Sequence, residues 1–186
     1  MKALIAYGTR YGATAGTSEE IGKILRGKGF DVKIANVKEE KIKDISEYDL
    51  IVVASGMRMG KWVSEAEDFL KKFHKEFENK KLALFVSSVN PIAEREGNKE
   101  EIAKLRKIAL EDKVSKYGLK PIAMSLFGGI LNYNKMGFIA RKGMEIAFKS
   151  RLQNNGFKEV EPGVYDLRDW NEIRNWTKEL VKKSRE

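Results

Sequence analysis

Apolar residues along this chain gather into five short runs, separated by longer stretches in which apolar positions recur every three or four residues. The runs cover residues 3–7, 31–35, 50–54, 82–86 and 122–127. Runs of that length read as strands and the periodic stretches between them as helices, so the pattern predicts repeated strand-helix-strand units around a parallel sheet. The first, third and fourth runs are apolar throughout, as expected of strands covered by helices on both faces, whereas Asp31-Val32-Lys33-Ile34 alternates. The second strand is therefore expected at an edge. Pro121 stands at the start of the fifth run, where a residue without an N–H is tolerated at a strand beginning or on an edge, and this puts the fifth strand at the other side. The order that satisfies both is 2-1-3-4-5, an α/β three-layer sandwich whose ligands sit beyond the carboxyl ends of the first and third strands.

Helix starts are marked by caps. Ser64 with Glu67 reads as a capping box ahead of Ala66, Phe69, Leu70 and Phe73. Asn98 with Glu101 opens a helix carrying Ile102, Leu105 and Ile108, and Asp169 with Glu172 opens one carrying Ile173, Trp176, Leu180 and Val181. These apolar stripes are expected in the core. Gly27-Lys28-Gly29 ends the first helix. Neither an internal repeat nor a low-complexity segment interrupts the pattern, so one domain over residues 1–186 is expected, with an insertion at about 128–163 after the fifth strand.

Directly after the first strand comes Gly8-Thr9-Arg10-Tyr11-Gly12-Ala13-Thr14, followed by a helical pattern through Ile21, Ile24 and Leu25. A glycine-containing, hydroxyl-rich turn at a helix N-terminus offers backbone N–H donors, side-chain hydroxyls and the positive end of the helix dipole to one anion, and a phosphate suits it. The same residues also read as a plain Thr/Gly turn with a threonine N-cap. A Walker lysine and a G-x-G-x-x-G are both missing, so neither a nucleoside triphosphate nor a dinucleotide is supported.

The segment Thr9-Arg10-Tyr11-Gly12-Ala13-Thr14 resembles the flavodoxin phosphate loop, Ser/Thr-x-Thr-Gly-x-Thr, in the same place after the first strand. It departs at Tyr11, which replaces a threonine, so one phosphate contact is expected from backbone alone. The resemblance implies FMN held by its 5′-phosphate at Thr9, Arg10, Tyr11, Gly12, Ala13 and Thr14, without a metal. It also implies that the loops after the third and fourth strands grip the flavin ring: Ser55, Met57, Arg58, Gly60, Lys61 and Trp62 in one, Ser88, Val89 and Asn90 in the other. Trp62 is a candidate for stacking on the ring, and equally a packing residue before a helix. The second loop has no aromatic between Ser87 and Gly97. If Arg58 and Lys61 face the flavin, their charge stabilises its anionic reduced form and raises its potential, which suits a dehydrogenase; otherwise they are solvated loop cations.

Residues 48–53, the Ser-x-x-Arg-x-Gly pattern from Ser55 to Gly60, Ser88-Val89-Asn90 and residues 165–170 are together similar to the menaquinone-dependent protoporphyrinogen dehydrogenase group of flavodoxin-like proteins. That resemblance implies an FMN-dependent oxidoreductase of haem biosynthesis, with a quinone or redox-protein partner and an anionic tetrapyrrole as substrate. The alternative is a flavodoxin-type electron carrier serving a protein partner. Within the insertion, Met136, Ile139, Ala140, Met144, Ala147 and Phe148 fall on one helical face, with Lys135, Arg141, Lys142, Lys149 and Arg151 on the rest. A basic amphipathic helix over residues 135–152 lies on an anionic membrane, caps the flavin, or packs its stripe on the domain or on a second subunit in a homodimer.

Composition adds little to this. Lys and Arg number 36 against 27 Asp and Glu, a net charge of +9, which nucleic acid, an anionic membrane or an anionic substrate would each explain, as would a Lys/Glu-rich surface. No basic surface interleaved with aromatics is visible outside the insertion, so nucleic acid is not expected; a cofactor-free basic binding protein is the third reading. The charge is opposite to that of the acidic flavodoxin carriers. With one histidine, His74, read as structural, and no cysteine, hydrolytic triads and thiolate chemistry are excluded, and the flavin itself supplies the redox chemistry. Met1-Lys2-Ala3-Leu4 runs into the first strand without a cleavage site, so a cytoplasmic protein is expected, peripheral to the membrane if the insertion docks there.

Overall fold

The computed structural model describes residues 1–58 and 60–186, without the Arg58 side chain. In chain order its elements are β1 (Lys2–Gly8), α1 (Ala13–Gly27), β2 (Asp31–Asn36), β3 (Leu50–Arg58), β4 (Lys61–Trp62), α2 (Ser64–Phe73), β5 (Lys81–Ser88), α3 (Asn90–Arg95), α4 (Lys99–Arg106), α5 (Asp112–Tyr117), β6 (Ala123–Gly128), β7 (Ile130–Asn132), α6 (Phe138–Asn154), β8 (Glu159–Glu161), β9 (Val164–Asp166) and α7 (Trp170–Arg185). The parallel strands run β2-β1-β3-β5-β6, which is the expected 2-1-3-4-5 order; the numbering shifts because two-residue β4 folds back antiparallel on β3. Both edges are the strands the sequence marked, β2 by its alternation and β6 by the preceding Pro121.

The continuous apolar runs work because alternate residues serve opposite layers. Leu4, Ala6, Ile51, Val53, Leu82 and Leu84 face a layer closed by Phe69, Leu70 and Phe73 of α2 with Ala109 and Leu110. Ala3, Ile5, Leu50, Val52, Ala83 and Phe85 face the layer closed by Ile21 and Leu25 of α1 with Ile173, Leu180 and Val181 of α7. Each fully buried Leu, Ile, Val or Phe among them contributes about 1.5–3 kcal/mol.

Two of the three expected caps form. Asn98 accepts the Glu101 N–H at 3.0 Å, and Asp169 accepts those of Asn171 and Glu172 at 2.8 and 3.1 Å. The Ser64–Glu67 capping box does not. Val63 takes the cap position because its N–H is held by Ser55 Oγ at 2.9 Å, and the Ser64 hydroxyl turns to Glu65. The stripe after Asn98 is also less deeply buried than expected: a π turn at Lys107–Glu111 shifts the register, so that Ala109 and Leu110, rather than Ile102 and Ile108, enter the core.

Freed from capping, Glu67 spans to α5, meeting Lys113 Nζ at 2.8 Å, Lys116 Nζ at 3.0 Å and the Tyr117 hydroxyl at 3.0 Å. Burial pushes its pKa up, but these three donors outweigh burial and hold it at about 2. A carboxyl whose folded pKa is depressed stabilises the fold above its unfolded pKa and loses that contribution as pH falls through the folded value. Glu67→Gln is therefore expected to cost about 1–2 kcal/mol at pH 7, after discounting for solvent screening, with the difference disappearing between about pH 4.5 and 2. Urea denaturation of both proteins across that range checks it.

The segment between β6 and α7 is richer than the expected helix. β7, β9 and β8 pair antiparallel into a second sheet. It sits hard against the main one: a Cβ on Gly128 would stand 2.0 Å from the Leu167 carbonyl oxygen, so only glycine allows this approach. Met144, Phe148 and Leu152 of α6 dock on Ile92, Leu131, Tyr133, Tyr165 and Leu167. Arg151 anchors the helix through ion pairs to Glu96 and Glu101. The expected apolar face is thus only partly buried. Ile139 is 86% exposed and Ala147 is exposed as well, on the part of the α6 surface that faces solvent.

Candidate functional site

Parallel strands bring the carboxyl ends of β1, β3 and β5 to one edge of the sheet, and the segments after them converge there. After β1, Thr9 Oγ1 accepts the Gly12 N–H at 3.1 Å, and Gly12 takes a left-handed φ of +91°. The chain then enters α1 with no side chain capping its first turn, so those N–H groups and the positive dipole end are left to an outside acceptor. Thr14 is fully buried, and among the described residues its hydroxyl has no hydrogen-bond partner. A Cβ on Gly56 would lie 3.4 Å from that hydroxyl, which fixes Thr14 at the seam between the β1–α1 turn and the end of β3. Leaving a buried hydroxyl unpaired costs about 1–3 kcal/mol, and an anionic oxygen at this junction relieves it. Arg10 and Gly12 are exposed, Tyr11 is half-buried and Ala13 buried.

The loop after β3 is a tight hairpin. Ser55 Oγ donates to the Gly56 carbonyl at 2.9 Å while accepting the Val63 N–H, so this serine closes the loop from within the protein. Met57, half-buried, pairs with Trp62, and Arg58 with Lys61, across a turn at Gly60 with φ +75°. Lys61 is exposed; the Arg58 side chain lies outside the described residues. Trp62 corrects the stacking expectation. It is 5% exposed, and its indole N–H donates to the Ala109 carbonyl at 2.6 Å in the layer below the hairpin. The π turn carries that carbonyl to the indole.

After β5 the expected loop is replaced by a helix start. Ser88 Oγ donates to Asn90 Oδ1 at 2.8 Å and accepts the Asn90 N–H at 3.1 Å, while Asn90 Nδ2 donates to Glu94 Oε1 at 2.6 Å and to the Leu126 carbonyl at 3.0 Å. Both side chains are buried and engaged within the protein, so of these three residues Val89, half-buried, is the one with surface left. Beyond Pro91 and Glu94 of α3 a cavity of about 530 Å³ reaches the stretch before α7, where Arg168 grips Asp166 through two nitrogens and lies 4.4 Å from the Trp170 ring.

A smaller cavity of about 290 Å³ joins the phosphate-loop residues Thr9, Arg10 and Tyr11 to Lys38, Val63 and Glu65, and to Lys135, Met136 and Gly137 from the β6–α7 segment. The Glu65 carboxyl is held below the usual range, first by hydrogen bonds from its own amide and the Ser64 hydroxyl, then by the charges of Lys38 and Arg10.

A family model described as a flavodoxin domain matches residues 4–155. The chain belongs to the flavodoxin-domain family. Protoporphyrinogen IX dehydrogenase [quinone] of Escherichia coli (strain K12) is 25% identical over 184 residues, covering 97% of this chain and 95% of that one. Among solved structures, a short-chain flavodoxin associated with a non-canonical PDU bacterial microcompartment aligns with a TM-score of 0.60 at 14% identity over 99% of each chain. A flavodoxin from the domain Archaea aligns at 0.55 and 18% identity over the whole of both. FMN is the cofactor of this flavodoxin-domain fold, and an uncapped helix start, a left-handed glycine and an unpaired buried threonine hydroxyl at the β1–α1 junction fit its phosphate. The chain is an FMN-binding redox protein.

Lys38 and Glu65 were missed in the sequence, and Lys135 and Met136 were assigned to the insertion helix rather than to this site. Lys38 had a signal: it follows the carboxyl end of β2, at the same sheet edge as the phosphate loop.

Proposed function

We propose that this protein is an FMN-dependent, quinone-linked oxidoreductase acting on protoporphyrinogen IX or a closely similar reduced tetrapyrrole. The observation that carries the reading is the structured β6–α7 segment, in which β7, β8, β9 and α6 stand beside the main sheet and reach the phosphate-loop edge, and which lies within the span this chain shares with the E. coli enzyme. The likeness to the E. coli enzyme along nearly the whole of both chains supports it. FMN supplies the electron transfer when bound; the residues of this chain orient it and exclude water. Each quinone reduced to its quinol takes two electrons and two protons, which the tetrapyrrole loses. Lys61, exposed on the β3–β4 hairpin, is assigned to the ring side, where a cation favours the anionic reduced cofactor.

The outer face of α6 is assigned to the membrane in which the quinone dissolves. Phe138, Ile139 and Ile146 are 72%, 86% and 83% exposed, with Lys142, Lys149 and Arg141 around them, the combination that draws a helix to an anionic bilayer surface. Among the described residues no helix is long and apolar enough to cross a membrane. An anaerobic steady-state assay with protoporphyrinogen IX and a menaquinone analogue is expected to show turnover well above that of an equal concentration of free FMN. A rate no higher than that background overturns the reading and leaves an electron carrier serving a protein partner.

A further inference from the structure

Three cations from three separate stretches line the 290 Å³ cavity beside the phosphate loop: Arg10 in the β1–α1 turn, Lys38 after β2, and Lys135 after β7. Among the described residues none of them makes an ion pair. The one carboxylate in the cavity, Glu65, already accepts from its own amide and from Ser64, so three positive charges converge on one engaged negative charge. Cations that line one cavity attract an anion into it. Lys135 is presented firmly: Asn132 Oδ1 accepts the N–H groups of Asn134 and Lys135 at 3.0 and 3.2 Å, and Asn134 Nδ2 donates to the Pro162 carbonyl at 2.7 Å, tying the turn to the small sheet. The uncapped start of α1 supplies neutral donors, which leave most of a dianion's charge uncompensated; the cations supply the rest.

We propose that Arg10, Lys38 and Lys135 clamp the 5′-phosphomonoester of the cofactor, which makes the β6–α7 segment an arm that retains the flavin. The clamp rests on the assignment of FMN to this site. It requires that the protein distinguish FMN from riboflavin largely by charge, and that residues far from the phosphate loop in sequence set that distinction.

The test is a fluorescence titration of the flavin-free full chain with FMN and, separately, with riboflavin, comparing the ratio of the two dissociation constants. Lys38→Gln and Lys135→Gln are each expected to lower the preference for FMN about fivefold at low salt, and the double variant about twentyfold, with riboflavin binding unchanged. Lys135→Arg is expected to keep the preference. Raising the salt to about 0.5 M should erode it more in the wild type than in the double variant. Both lysines are exposed surface residues, so their glutamine variants fold. A wild-type preference for FMN that persists undiminished in both variants overturns the clamp and leaves the cofactor assignment standing; a wild type that takes up neither flavin removes both.

Discussion

Thr14→Val is expected to weaken FMN binding about 10- to 100-fold while raising the thermal midpoint of the flavin-free protein by about 2–4 °C. The two effects have opposite signs because they act on different states. Without the cofactor, the Thr14 hydroxyl is fully buried at the seam between the β1–α1 turn and Gly56 with nothing to bond, so replacing it by a methyl of similar volume removes a desolvation cost of about 1 kcal/mol. With a phosphate at the junction, that hydroxyl donates to a charged oxygen, a bond contributing about 1.5–3 kcal/mol. A merely structural threonine gives the first effect without the second. Differential scanning calorimetry and flavin titration on one preparation separate them, and an unchanged FMN affinity removes Thr14 from the site.

Trp62→Ala is expected to cost about 3–5 kcal/mol in urea denaturation, a large share of the about 5–15 kcal/mol typical of a folded domain, while Trp62→Phe costs about 1–2 kcal/mol. The first leaves a cavity under the hairpin among Phe69, Leu70 and Ala109; the second keeps most of the volume but strands the Ala109 carbonyl, which the indole N–H holds at 2.6 Å. In neither role does the ring meet the flavin. The Phe variant is accordingly expected to bind FMN within about twofold of the wild type and with the same visible spectrum, since the residue acts through the core and not through the cofactor. A Trp62→Phe protein of normal stability whose flavin band shifts and whose affinity drops would restore the stacking role.

These two residues also mark what the sequence makes legible. The junction holding Thr14 is local: strand end, turn and helix start lie within seven residues, and the donors that suit a phosphate follow from backbone geometry that a glycine and a run of hydroxyls announce. The sheet order is legible for a similar reason, since β1, β3 and β5 are apolar on both faces and β2 is not. Trp62 was ambiguous because its partner, Ala109, lies 47 residues away and becomes available through a π turn that leaves no mark in the 3.6-residue pattern. Ser64 failed as a cap because Ser55, nine positions earlier, had already fixed Val63. The same holds for Ser88 and Asn90, whose side chains look like cofactor contacts in the sequence and are engaged by each other, Glu94 and Leu126 in the fold. Three-residue strands such as β7, β8 and β9 carry too few positions to show a period, and so the second sheet, with Lys135 at its margin, emerged only from the structure.

Titration of the flavin-free chain with FMN, followed by quenching of flavin fluorescence, decides whether the β1–α1 junction holds this cofactor. Saturable uptake of one FMN per chain at micromolar concentration or below, stronger than uptake of riboflavin, is the predicted result. No quenching at micromolar FMN, from a protein whose circular dichroism shows the sheet and helices intact, contradicts it.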